Sequence, residues 1–539
     1  MTARPGKEKT MFRRNLFTKV IPVLLAVAMA LALPAPARSA DPGSGLQAPQ
    51  GPRPEQFTYP PLNFKPPKPA EFRTKLGNGL VVYIAEDHEI PWFTASLLVR
   101  TGPFLEPKAK LGLDGLTTAI MRAGGSATMT GEQINERMDF LAGSVSANAL
   151  SINIKYLDEG LKIWMDILTH PAFPEDKLRR EKDATLPGIR NRNKNVTQVA
   201  SRVYDQLIYG EDTPITQETT EATITAIGRD DLVSWHQKYW GANNAILVVS
   251  GDFKKSDMLK KLEATFGTWR KAEKAAPALP RVQQAAKAGV YMVQPEVIPN
   301  QGVIRIGHLG LRSDDPDYPA VDLMNYVLGG GSFSSRITKI VRTDNGLAYS
   351  TSSSFAGGGG GGGGPRGGRG GGSGAGILYP GTFTASCQTK NSTVVFASQL
   401  MLDIIEDMHN GNVGEADLKM AKSARLNAFP SMFSGVGSII QNFANLEFNG
   451  RPMDYYDAYL AKYEKVTVAD LRRIAQKWLQ PDKMIIMVAG SIEECRAGAD
   501  KMLPNQPTID AMAAKFGGRS IDGLAKKYGD GTVHIITLK

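Results

Sequence analysis

Arg342 and Tyr349 stand seven residues apart in the run Ile340-Val341-Arg342-Thr343-Asp344-Asn345-Gly346-Leu347-Ala348-Tyr349-Ser350. A guanidinium is a permanent forked donor, and a phenol donates one directed hydrogen bond. Both suit a carbonyl oxygen that gains negative charge in a transition state. At that spacing alone a plainer arrangement is preferred, in which Arg342 caps or ends a helix and Tyr349 packs on a strand. Metal chemistry has less to draw on. The histidines are His88, His170, His236, His308, His409 and His534. None is read as having a second histidine or a glutamate three or four residues away, the spacing that sets two ligands on one helix face. They read as surface histidines or hydrogen-bonded core ones. Cys387 and Cys495 could pair in an oxidising compartment, but their separation in space is not fixed by sequence, so no disulfide is predicted.

The stretch Lys110-Leu111-Gly112-Leu113-Asp114-Gly115-Leu116-Thr117-Thr118-Ala119-Ile120-Met121 resembles the Gly-Leu-x-His-x-x-Glu-His-Met helix of the insulinase-like M16 (inverted zincin) metallopeptidases. In that family the two histidines bind zinc and the glutamate between them is the general base. Laid on this frame, Gly115 and Ala119 take the histidine positions and Thr118 the glutamate position. A third, carboxylate ligand follows seven residues past a Glu in a segment like Arg180-Glu181-Lys182, and here that position is Gly188. A catalytic zinc needs about three protein ligands and an open position for water. Gly and Ala supply no ligand, and a Thr hydroxyl is a poor base near neutral pH. The resemblance therefore implies a chain with no metal of its own and no autonomous catalytic residue.

The run ending Gly346-Leu347-Ala348-Tyr349-Ser350 resembles the C-terminal M16 segment in which an Arg and a Tyr, seven apart, face the zinc site from the opposing domain. The resemblance implies that Arg342 and Tyr349 bind substrate backbone and stabilise the oxyanion. Some M16 peptidases divide the work between two chains, one holding zinc and the other the Arg/Tyr pair. The expectation is thus a non-catalytic subunit of a periplasmic M16 heterodimer, with a zinc-bearing M16 chain as partner and a peptide as substrate. The peptide would add as a strand at an exposed sheet edge, for which residues 144–153 resemble the family's edge. Two alternatives stand beside it: a non-enzymatic M16-like scaffold, and a protein that captures peptides without a catalytic partner.

These residues must be placed by a duplicated chain. The helix–strand unit from Asp231 to Gly251 matches the one from Asp470 to Gly490 without gaps, at a constant offset of 239 positions. Such a fixed offset favours duplication. The first copy is expected over 71–275. It opens with a hairpin about Gly77-Asn78-Gly79, a strand over 93–99 and helices over 112–121 and 131–141. Paired strands over 144–156, further helices and a buried strand over 245–250 follow. The second copy is expected over 289–490, with strands over 290–293, 302–307 and 376–388 and helices filling most of 391–478. Strands, then helices, then a strand indicate an α+β class. The M16 resemblance makes this two duplicated domains, each an antiparallel-rich sheet packed with helices, together forming half of a clam-shell chamber. Residues 491–539 are expected as a small helical extension on the second domain.

The remaining segments are compositional. Residues 1–40 read as a signal peptide, with Arg13, Arg14 and Lys19 before an apolar run over 20–33. That run is shorter than the roughly 20 residues a membrane span needs, so no stable membrane insertion is expected after cleavage. Residues 41–70 form a Pro-rich linker. The net charge of +10 is concentrated at the start, where seven Lys/Arg against one Glu within residues 1–40 give +6 and leave +4 for the rest. No nucleic-acid partner is expected from so small a balance. The Gly-rich insertion at 356–376 cannot bury apolar surface and reads as a tolerated surface insertion.

Overall fold

The computed structural model describes residues 64–273, 282–355, 379–497 and 505–538. The expected signal peptide, most of the Pro-rich linker and the Gly-rich insertion lie outside the described residues.

The described chain contains two six-stranded mixed sheets flanked by helices, the α+β architecture expected. The first sheet comprises β1 (Arg73–Lys75), β2 (Val81–Glu86), β3 (Trp92–Val99), β4 (Ser144–Ser146), β5 (Ala149–Asn153) and β6 (Ala245–Gly251), in spatial order β1-β2-β6-β3-β5-β4. The second comprises β7 (Gly289–Val293), β8 (Gln301–Leu309), β9 (Ala348–Phe355), β10 (Thr382–Lys390), β11 (Ile485–Ala489) and β12 (Val533–Ile536), in order β12-β7-β11-β8-β10-β9. Five strands correspond one to one. β2 and β6 pair in parallel, as do β7 and β11, and the other shared neighbours are antiparallel. The sixth strand differs. On the first sheet it is β1, joined to β2 by the Gly77-Asn78-Gly79 turn, where Gly79 takes φ +99°. On the second it is β12, a parallel neighbour of β7 that comes after the helices Ile492–Ala497, Gln506–Lys515 and Ile521–Tyr528. The C-terminal residues thus add a strand to the sheet as well as helices.

The unbroken apolar runs of the central strands follow from covering both faces of each sheet. Side chains alternate across a strand, so neighbours in sequence enter different cores. Val82, Ile84, Leu247 and Val249 pack among the first half's own helices. Tyr83, Ala85, Ile246 and Val248 pack instead against Ile440, Phe443 and Ala444 of the Val436–Phe448 helix, which belongs to the second half. The exchange is reciprocal. Ile486 and Val488 face helices of their own half, while Ile485, Met487, Val293 and Val303 meet Val199, Val203 and Tyr204 of the Val196–Tyr209 helix from the first half.

Polar contacts fix both exchanged helices. Glu447, near the C-terminus of Val436–Phe448, accepts both arms of Arg73 at 2.8 Å and the Tyr83 hydroxyl at 2.6 Å. Arg100 donates to the Phe448 carbonyl and stacks over its ring at 4.6 Å, a cation at the negative end of the helix dipole. On the other side Tyr204 donates to the Phe383 carbonyl at 2.8 Å and Arg305 to Ser201 Oγ at 2.6 Å. Among the described residues no helix is long and apolar enough to cross a membrane.

Candidate substrate-contacting site

The site is built on the segment between the Tyr318–Asn325 helix and β9. That helix runs into a widened, π-type turn over Tyr326–Gly330. The glycines here are demanded by crowding, since a Cβ at Gly329 would lie 2.5 Å from the Ser353 nitrogen and one at Gly331 2.6 Å from the Tyr326 carbonyl oxygen. Ser332 then adopts φ +51°, a left-handed conformation that costs a non-glycine residue on the order of 1–3 kcal/mol. The buried Ser335 locks the turn by donating to the Ser332 carbonyl at 2.7 Å, with Thr338 Oγ1 3.0 Å from its hydroxyl oxygen. Arg336 anchors the next residue through Asp417 at 2.8 Å, Asp407 at 3.3 Å and the Asn412 carbonyl at 2.6 Å.

A second widened turn, Thr338–Asp344, carries Arg342. Val341 is buried in the core, and its neighbour Arg342 is half-buried. The chain then reverses: Gly346 N–H donates to the Arg342 carbonyl at 2.9 Å and Leu347 N–H to the Val341 carbonyl at 3.1 Å. The alternation of β9 buries Ala348 and leaves Tyr349 84% exposed. The two predicted residues meet, with the Arg342 guanidinium carbon 4.7 Å from the Tyr349 ring centroid. Arg342 has no ion-pair partner among the described residues, and Asp344, two residues on, is held by Lys339 at 2.9 Å. The plainer placement of Tyr349, packed on its strand, is not what the geometry has. Phe333, which sequence reasoning did not single out, lies equally close to Arg342, also at 4.7 Å. The glycine run before it is its one sequence signal. Strand β9 is the outermost strand of its sheet, as β4 within 144–153 is of the other.

The positions laid on the zinc frame do not fit a metal. Gly115, Thr118 and Ala119 lie on the Leu113–Ala123 helix and Gly188 on the Glu175–Arg190 helix, and these helices pack on one another. A Cβ at Gly115 or at Gly188 would meet no heavy atom within 4 Å, so both open onto free space. The Thr118 hydroxyl donates back to the Asp114 carbonyl at 3.0 Å. The carboxylates nearby serve the fold. Asp114 is buried and accepts from Thr101 Oγ1 at 2.7 Å and Trp235 Nε1 at 3.0 Å; burial pushes its pKa up against these bonds. Glu106 accepts from Gly112 N–H at 2.9 Å and Asp114 N–H at 2.7 Å, capping the helix start.

Three of the histidines are engaged by other groups. Burial pulls both His236 and His308 down to about 4, and each ring bonds backbone: His236 to the Leu168 carbonyl, His308 to the Leu309 carbonyl and Gln480 N–H. His88 bridges Asp252 at 2.7 Å and Glu86 at 3.3 Å, whose hydrogen bonds raise its pKa. One carboxylate does stand three residues before a histidine, Glu406 before His409, but it is taken by Lys515, Lys527 and Tyr528. Among the described residues no group of three or more His, Cys, Asp or Glu could hold a metal ion. Cys387 and Cys495 are buried free thiols.

Residues 226–425 match the family model described as Peptidase M16 inactive domain. The chain is 23% identical over 403 residues to the non-peptidase homolog YmxG of Helicobacter pylori, spanning 72% of this chain and 87% of that one. Its fold is similar to a peptidase M16 inactive domain from Pseudomonas fluorescens, with TM-score 0.63 and 23% identity over 78% of this chain and 97% of that one. A protease from Helicobacter pylori gives TM-score 0.65 at 15% identity, covering 79% and 100%.

Proposed function

Because residues 226–425 match the M16 inactive-domain model and a non-peptidase homologue aligns over 72% of the chain, we propose that this chain is an inactive member of the M16 peptidase family and the non-catalytic subunit of a heterodimeric M16 peptidase whose partner chain holds the zinc. The observation that carries this reading is a contrast within one chain. The metal frame holds Gly115, Thr118, Ala119 and Gly188, while the half-buried Arg342 stands against the exposed Tyr349. In this role a peptide lies extended along a sheet edge. The Arg342 fork and the Tyr349 hydroxyl reach the peptide carbonyl, and their bonds strengthen as its oxygen becomes anionic. The two halves of the chain form one wall of a chamber that the partner closes. A signal peptide over 1–40 delivers the chain to the periplasm, where the pair assembles.

The test is reconstitution. Chains that copurify from the periplasm are identified, and peptide cleavage is measured for each alone and for the mixture. This chain alone cleaves nothing, and the mixture does. Arg342→Ala lowers kcat by about a hundredfold, the scale of losing one oxyanion donor, and Tyr349→Phe by roughly tenfold, with complex formation unchanged. Equal turnover in both variants and wild type removes the Arg/Tyr role. A copurifying complex without peptidase activity favours the scaffold, and peptide capture with no protein partner favours the free-standing binder.

A further inference from the structure

Phe333 is 67% exposed, and its ring lies against the guanidinium that Tyr349, 84% exposed, also contacts. Two large aromatic rings left in water beside a cation that has no ion-pair partner among the described residues are not accounted for by their mutual attraction, which is weak at exposed sites. The backbone that presents Phe333 is strained at Ser332 and over-determined on both sides. Gly329 is pressed against Ser353, and Ser335 is bonded to Ser332 and Thr338. A strained residue held this firmly next to an exposed aromatic is pre-organised rather than incidental. Strand β9 carries Tyr349 as the outermost strand of its sheet, and Phe333 shares the Arg342 guanidinium with Tyr349.

We propose that Phe333 is a positioning and specificity residue. It fixes the plane of the Arg342 guanidinium, and its remaining surface receives an apolar side chain of the bound peptide next to the carbonyl that Arg342 contacts. The proposal rests on the reading of Arg342 given above. Its physical content is twofold. A guanidinium stacked on two rings loses less freedom when its donors engage a carbonyl. An aromatic or aliphatic peptide side chain removes apolar ring surface from water, which a small one does not.

The probe is a pair of fluorescein-labelled nine-residue peptides, identical except for a central Phe or Gly, with binding to the full chain read by fluorescence anisotropy. Wild type prefers the Phe peptide by about three- to tenfold. Phe333→Ala abolishes the preference, Phe333→Tyr restores it, and Arg342→Ala weakens both peptides alike. Thermal unfolding verifies that each variant is folded, and Phe333→Leu replaces the alanine variant if that one is not. A wild type that binds the two peptides equally, or a preference that survives Phe333→Ala, overturns the role of Phe333. If Arg342→Ala still weakens both peptides in that case, the reading of Arg342 stands. No effect of Arg342→Ala, or no binding by wild type, overturns both.

Discussion

At the scale of single residues, the positions laid on the zinc frame carry small side chains with open space around two of them. Gly115 and Gly188 open onto free volume on two packed helices, and Ala119 lies one helical turn beyond Gly115. The frame therefore makes a testable claim about register. The triple variant Gly115→His, Ala119→His, Gly188→Glu should bind one zinc in titration calorimetry at least tenfold more tightly than wild type, because two imidazoles at i and i+4 share a helix face. Equal affinity in wild type and variant would show that the frame is out of register. The same scale explains why Asp114, beside Gly115, is no ligand: Thr101 and Trp235 claim its oxygen in the core.

At the scale of elements, the decisive event is that each half lends a helix to the other. The Val436–Phe448 helix carries Glu447 into the reach of Arg73 and Tyr83 on the first sheet. Burial would raise the Glu447 pKa, but hydrogen bonds from Arg73 and Tyr83 outweigh it and hold the carboxyl below its usual range. Glu447→Gln should lower stability by roughly 1–2 kcal/mol, since it replaces charge-assisted bonds on a partly exposed network by neutral ones. Urea denaturation measures this. An unchanged midpoint would mean that apolar contacts alone seat the helix. The loss should shrink under acid, where Glu447 protonates and its contribution disappears as pH falls through its lowered folded pKa.

At the scale of the whole molecule, each half has one buried neutral histidine with the same titration. His236 and His308 are held at about 4 in the fold against about 6.5 when unfolded. Between those values the unfolded chain binds protons that the native one does not. Stability is therefore complete above about pH 6.5 and is lost as pH falls toward 4. The midpoint of thermal unfolding should drop over this window. The double variant His236→Asn, His308→Asn should start lower at pH 7 and show a flatter profile. A profile as steep as that of wild type would assign the acid sensitivity to other groups.

Much of this was legible in the sequence because its causes are local or periodic. The duplication appears as a fixed offset, the first hairpin as Gly77-Asn78-Gly79, and the buried strands as apolar runs. The missing zinc ligands are a matter of residue type alone. Arg342 and Tyr349 were visible by their spacing, since a tight reversal at Gly346 brings positions seven apart together. What the sequence could not determine depends on contacts between distant segments. An amphipathic helix shows its apolar face but not which sheet receives it, so the exchange of Val196–Tyr209 and Val436–Phe448 is decided by packing. The short strand β12 gains its place only from β7, some 240 residues earlier. Phe333 follows a left-handed Ser332 and meets Arg342 at 4.7 Å, and no local pattern of residue types records that contact.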